Sequence, residues 1–289
     1  MRPAAQPASG ARGEGVGGLA DGGDRPGGGV LAAGEPSAEA RGVRPHPGLR
    51  WWREVAYILA FYGVYSLVRN TQGSAAVSAQ EALANAVRVI RLERLLGLYH
   101  EETLQDLFLE RRWFIEAWNL FYGSLHFVVT AAALVVLFRR FPERYRPWRN
   151  ALAATTALAL VGFALFPLMP PRLLPSAYGY VDTLEAYGSL WSFDSASVQS
   201  ISNQYAAMPS LHVAWALWSC LVLYGVVRSP WARALAVLYP LATVFAIVVT
   251  ANHYVLDALG GVAVLGIGSV LAFLLPARLH RTAAAPGVA

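Results

Sequence analysis

Met208-Pro209-Ser210-Leu211-His212 and His253-Tyr254-Val255-Leu256-Asp257 each stand where a polar stretch gives way to a long apolar run. Histidine, serine and aspartate at the mouth of an apolar segment need polar partners, because hydrocarbon does not solvate them. His253 and Asp257 are four residues apart, so on a helix they share a face and can touch. A carboxylate that accepts a proton from one ring nitrogen fixes the tautomer and leaves the other nitrogen free as nucleophile or base. Taken alone, such a pair reads first as a structural hydrogen bond between helices. Ser210 follows Pro209 at a helix start, where both are common openers and serine is an ordinary N-cap. The same free amides and dipole also make an anion site, to which the serine adds a donor. His212, just inside that helix, can give a proton to a leaving oxygen.

The apolar runs around these motifs set the fold class. Residues 54–68, 113–138, 151–168, 211–227, 234–250 and 254–275 read as six transmembrane helices, the last stopped by Pro276 and followed by Arg278 and Arg281. Residues 139–149 carry five arginines, which marks a cytoplasmic loop, and Arg228 and Arg233 mark another. The long loop 169–207, rich in Pro, Gly, Ser and Tyr, holds only Arg172 against Asp182, Glu185 and Asp194, so it is expected outside. Between the first and second spans, residues 74–112 show apolar residues at helical spacing with charges of both signs between them. They read as one or two amphipathic helices broken near Gly97, on the membrane surface or packed on the bundle, with the charges forming a solvated face. The expectation is an all-α integral membrane protein: a six-helix bundle with an amphipathic segment between helices 1 and 2 and both termini cytoplasmic. There is no internal repeat.

Composition agrees. Of 289 residues, 56% are hydrophobic and 14% charged, against about 25% charged in an average soluble protein. The mean hydropathy is +0.41 even though residues 1–50 are polar, with thirteen of the 26 glycines and no Phe, Trp or Tyr. Residues 1–50 are therefore expected to be a disordered cytoplasmic tail, residues 51–281 the membrane domain, and residues 282–289 a short disordered end. The first fifty residues lack the apolar core of a signal peptide, so cleavage is not expected. Arg44, Arg50 and Arg53 beside Trp51 and Trp52 look like a cytoplasmic membrane edge. The net charge of +5 is carried by arginine without a single lysine, and no basic stripe interleaved with aromatics suggests nucleic acid as a partner. The one cysteine, Cys220, allows neither an intrachain disulfide nor a cysteine zinc site, and reads as a small core residue.

The six-helix topology carries a consequence. Arg172 ends span three, Ser210 and His212 open span four, and His253 opens span six, so all four meet at one face. Arg172 offers a phosphate a fixed positive fork, or snorkels as an interfacial arginine. Asn119, Tyr122 and His126 share one face of span two, and three such side chains rarely point at lipid. They read as interhelical glue or as another wall of the same pocket. Three histidines and an aspartate could suit zinc, but no HExxH or His-x-His is present, and a phosphate site explains Ser210 and Arg172 as well.

Met208-Pro209-Ser210-Leu211-His212 resembles the second signature, P-S-x-H, of the type 2 phosphatidic acid phosphatase superfamily, and His253-x-x-x-Asp257 resembles its third. Asn119-x-x-Tyr122-x-x-x-His126 and the turn Pro170-Pro171-Arg172 look most similar to the inositol phosphorylceramide synthase branch and its bacterial relatives. The resemblance covers roughly residues 80–275 and implies a mechanism. His253 attacks phosphorus and carries a phosphohistidine, Asp257 orients it, and His212 protonates the departing oxygen. Arg172 and Ser210 hold the phosphoryl oxygens, and no metal or other cofactor is required. Two positions depart from the phosphatase pattern. Ile247 stands where an arginine precedes the nucleophile, and the lysine of the first signature cannot exist in this chain, so Pro171-Arg172 is at best a partial stand-in. The phosphate is then expected to lean on Arg172, Tyr122, His126 and Asn119.

The expected function is cleavage of a lipid phosphate or diphosphate at the extracytoplasmic face of the cell membrane. The alternative is transfer of the phosphoryl headgroup to a small alcohol such as inositol. From another class, a non-catalytic lipid transporter or scaffold would show no phosphate release and would tolerate His253→Ala.

Overall fold

The computed structural model describes residues 49–71, 78–187 and 204–283. The chain divides at Gly42 into two units, and every described residue belongs to the second, Val43–Ala289. The expected tail lies outside the described residues up to residue 48, as do residues 284–289 at the other end and residues 188–203 of the long loop.

The described residues are helical, with no strand beyond a single bridge between Leu168 and Ala206. In order they form α1 (Trp51–Thr71), α2 (Ala79–Leu96), α3 (Glu101–Leu109), α4 (Arg112–Arg140), α5 (Pro142–Leu165), two 3-10 turns at Pro171–Leu173 and Ser176–Tyr178, and the short α6 (Thr183–Tyr187). From residue 204 onward come α7 (Leu211–Val226), α8 (Pro230–Val249) and α9 (Val255–Ala283). Helices α4, α5, α8 and residues Val255–Leu274 of α9 are long and apolar enough to cross a membrane, and α7 is a shorter apolar helix. A membrane helical bundle follows. The full count of six spans does not, because α1, with Arg53 and Glu54 in its first turn, is not among the four. It leans on α5, where Glu54, 7% exposed, pairs with Arg149.

The arginine-rich stretch expected as a loop is helical instead. Helix α4 runs to Arg140 and α5 begins at Pro142, leaving Phe141 as the break. Proline at the first helical position has its backbone angle preset and no amide to satisfy, so it opens a helix readily. The arginines ride on the new helix: Arg144 donates to the carbonyl of Gly225 at 3.3 Å, tying the start of α5 to the end of α7.

The bundle core joins Ala133 and Leu137 of α4, Tyr145 and Ala151 of α5, Ala214, Trp218 and Val222 of α7, and Leu265 of α9. Polar contacts between helices use local donors: Trp218 donates to the carbonyl of Trp148 at 3.0 Å, and Thr130 meets Ser219 at 3.2 Å. Gly268 of α9 lets α5 come close, since a Cβ there would stand 2.7 Å from the backbone nitrogen of Thr155.

The amphipathic segment forms as expected, in two helices broken at Gly97, whose φ of 69° is the left-handed turn glycine adopts freely. Part of its apolar face packs inward, while Leu92, Leu95, Leu96 and Leu107 stay exposed. Ala82, Ala86, Val89 and Ile90 pack against Leu168, Met169, Leu174, Tyr180, Ala207, Ala251 and Tyr254, which belong to the segments joining the long helices. Its charges are not all solvated either: Glu93 and Glu101 are fully buried, and Asn85 and Gln105 are buried beside them. They are needed inside because the segments under α2 and α3 carry backbone groups without ladder partners. Asn85 donates to the carbonyl of Pro167 at 2.8 Å, and Gln105 pairs with both backbone groups of Val181 at 2.9 Å.

Candidate active site

His253 sits in the turn between α8 and α9 and is 4% exposed. Its amide and that of Asn252 both donate to the carbonyl of Ile247, at 3.1 and 2.9 Å, so the chain folds back sharply after Val249. Ala251 takes the strain with φ of 52°, a left-handed angle that a residue with a Cβ rarely adopts. The same residue accepts the amide of Arg172 at 2.8 Å, bringing the end of the α5 connection to within two residues of His253.

The ring of His253 is fixed from one side. Its Nδ1 lies 2.9 Å from the carbonyl of Ala207 and 3.2 Å from Oδ2 of Asp257. A carbonyl only accepts, so Nδ1 carries a proton, and in the neutral ring the lone pair then falls on Nε2. Asp257 is fully buried, and its Oδ2 also accepts the amide of Tyr254 at 3.0 Å, so its carboxylate cannot swing away.

The second motif is seated on the first. The amide of Ser210 donates to the carbonyl of Asp257 at 2.9 Å. Pro209 and Ser210 press on glycines: a Cβ at Gly162 of α5 would meet Pro209 at 2.6 Å, and one at Gly261 of α9 would meet the carbonyl oxygen of Ser210 at 2.4 Å. Ser210 caps α7 through Val213 at 3.5 Å and is fully buried. One residue into that helix after Leu211, the His212 ring centroid lies 5.6 Å from that of His253. Tyr122 stacks on His212 at 4.2 Å, and His126 meets it edge-on at 4.3 Å. Tyr122 also reaches the ring of His253, at 6.3 Å. The Nδ1 of His126 donates to the carbonyl of Tyr122 at 3.0 Å, again because a carbonyl only accepts, so its Nε2 keeps the lone pair. Three imidazoles and a phenol thus form one cluster. A small pocket opens beside it, lined by His126, His212, Tyr122, Ile247, Thr243 and Tyr239 among others. Ile247, standing where the phosphatase pattern has an arginine, is an apolar wall of that pocket.

Two expected residues are placed differently. Arg172 is tied by its backbone to the His253 turn, but its guanidinium pairs with Asp182 at 2.5 Å, largely shielded from solvent. Asn119 donates to the carbonyl of Thr183 at 2.8 Å and accepts from its hydroxyl at 3.0 Å, a hydrogen shared with the carbonyl of Thr250 at 3.3 Å. Asn119 therefore braces the turn that carries His253. Among the described residues, no group of three or more His, Cys, Asp or Glu is placed to hold a metal ion.

The residues that sequence reading missed are Glu93 and Glu101. Glu93 accepts the amide of Leu256 at 2.8 Å, and Glu101 accepts that of Val255 at 3.1 Å. With Asp257 on Tyr254, three carboxylates take up three amides at the start of α9, groups that no helix can satisfy by itself. Burial pushes the Glu93 carboxyl up to about 9, with the neighbouring Glu101 and Asp257 adding to it. The only signal in the sequence was a glutamate at a position in phase with the apolar face of α2.

No curated protein and no solved structure matches the chain. A family model described as PAP2 superfamily matches residues 87–271, well over half of the chain and the part that contains every residue of the cluster. By that match the chain belongs to the PAP2 superfamily, and membership supports phosphatase-type chemistry on a phosphoric ester.

Proposed function

We propose that the protein hydrolyses a membrane lipid phosphate or diphosphate through a phosphohistidine on His253. The observation that carries this reading is the buried His253 ring, protonated at Nδ1 by its contacts with Ala207 and Asp257, with His212 5.6 Å away. In the first step Nε2 of His253 attacks phosphorus, the bond from phosphorus to the leaving oxygen breaks, and His212 gives that oxygen a proton. Asp257 stabilises the positive charge that His253 gains. In the second step His212 takes a proton from water, the hydroxide attacks phosphorus, and the P–N bond breaks to release inorganic phosphate. Arg172, Ser210, Tyr122 and His126 are the groups that hold the phosphoryl oxygens as charge develops, with Arg172 sharing its guanidinium between phosphate and Asp182. Asn119 supports them from behind. No metal enters either step, so chelation leaves turnover unchanged.

The site lies at the extracytoplasmic rim in this reading. The end of α5, the starts of α7 and α9 and the end of α8 are joined at the site, while Arg139, Arg140, Arg144, Arg149 and Arg233 cluster at the other ends of these helices. Arginines favour the cytoplasmic side. Glu54 at the start of α1 pairs with Arg149 at that arginine-rich end, so the N-terminal side is read as cytoplasmic, as is the end of α9.

Transfer to an alcohol shares the first step. The apolar Ile247 wall, where a phosphatase pattern has a cation, favours keeping this as the second reading. The test is purified protein with lipid phosphates, with and without inositol or other alcohols, followed by trapping of acid-labile phosphoprotein. Phosphate released without alcohol, with label on the wild type and none on His253→Gln, supports hydrolysis. Product only with alcohol moves the assignment to transfer. Equal labelling of His253→Gln sinks both.

A further inference from the structure

Glu93 of α2 and Glu101 of α3 are each fully buried, and each spends one oxygen on an amide of the first turn of α9. The remaining oxygen of each, Oε2, is buried with no donor in reach. The two carboxyls sit side by side, because the amides they accept belong to the adjacent residues Val255 and Leu256. Neither is in an ion pair among the described residues. The titratable groups facing them are Asp257 and Tyr254 from the start of α9, Tyr99 from the link between α2 and α3, and Tyr180 from the loop above. His253 lies beyond Asp257. Arg94, the nearest cation in sequence, is turned outward over the ring of Tyr99. Two ionised carboxylates in such a place would repel each other with nothing between them, at a cost no buried pair sustains. A single proton between them removes the repulsion. It makes one group an acid that donates to the other, which is the arrangement two carboxylates adopt when they share a site.

We propose that Glu93 and Glu101 hold one proton between them, and that this acid–carboxylate pair is the clamp that fixes the first turn of α9 and, through it, His253 and Asp257. The pair is positioning machinery: it touches the backbone of Val255 and Leu256 and never the substrate. With the proton in place, both outer oxygens point at the helix amides and the turn stays closed. Loss of the proton leaves two adjacent carboxylates beside Asp257, and the turn opens by moving one of them toward water. Burial raises the Glu93 carboxyl to about 9, so the clamp is closed at neutral pH and opens on the alkaline side. The effect on turnover rests on His253 being the nucleophile. The shared proton itself does not.

The experiment uses full-length protein in detergent with Glu93→Gln, Glu101→Gln and Glu93→Ala. Infrared spectra at pH 7 come first, because they need no substrate. The wild type is expected to show a protonated-carboxyl band that Glu93→Gln removes and Glu101→Gln shifts, since burial keeps Glu93 protonated but its hydrogen loses the carboxylate that accepted it. Turnover against pH follows. Glu93→Gln replaces the shared proton by an amide hydrogen that does not titrate. It should retain turnover at pH 7 within about 3-fold and keep it to higher pH than the wild type. Glu93→Ala should lose roughly 10–100-fold. Two results overturn the proposal: an infrared band that persists in Glu93→Gln or stays unshifted in Glu101→Gln, or a Glu93→Gln profile superimposed on the wild type. Absence of turnover in the wild type would instead sink the phosphatase reading and leave the infrared comparison to decide the shared proton.

Discussion

The amide of Ser210 donates to the carbonyl of Asp257 at 2.9 Å, which locks the start of α7 to the first turn of α9. This one bond ties the two motifs together through backbone and leaves their side chains free for chemistry. It sets His212 near His253, and it depends on Gly261, over which the carbonyl of Ser210 lies.

Gly261→Ala tests that seating. The new Cβ would fall 2.4 Å from a backbone oxygen, which no side-chain rotation relieves. We predict a loss of about 1–3 kcal/mol in stability and a larger fractional loss of turnover. Gly266→Ala, with open space around it, should instead match or stabilise the wild type by about 0.5–1 kcal/mol. Thermal unfolding and turnover of both variants check the pair, and equal behaviour would contradict the seating.

Asp257→Asn keeps the size of the side chain and an oxygen for the amide of Tyr254. It loses the charge that stabilises His253 as it becomes cationic. A fall in kcat of roughly 10²–10⁴-fold with little change in KM is expected. Steady-state kinetics decide it, and a change confined to KM would mean that Asp257 only binds.

Arg172 has a strut role that is visible and a phosphate role that is proposed. Arg172→Ala should lower turnover roughly 10²–10³-fold. Arg172→Lys, which keeps the charge and loses the planar fork, should fall between the two. Near-normal turnover in Arg172→Ala, together with a lower melting temperature, would reduce Arg172 to the partner of Asp182.

The raised Glu93 carboxyl has a sign for stability. The folded chain holds a proton that the unfolded chain releases above its ordinary value of 4.5, so the fold binds more protons between about 4.5 and about 9. Its contribution is full below 4.5 and is lost as pH rises toward 9. The melting temperature of the wild type should therefore fall with rising pH across this window more steeply than that of Glu93→Gln. Parallel curves would show that Glu93 ionises inside the fold without cost.

The chain's own pattern determined the helical membrane bundle, because apolar runs of this length leave the backbone one way to satisfy itself in lipid. It also determined His253 with Asp257, whose contact needs only four residues of helix, and the N-cap at Ser210. Tertiary structure alone decided that Asn119 is spent on Thr183, and that Arg172 meets Asp182. It alone decided that Glu93 and Glu101 turn inward. A charge on an amphipathic helix reads as solvated until the helix is seen to lie against another helix's unsatisfied amides, and those amides belong to a turn more than 150 residues away.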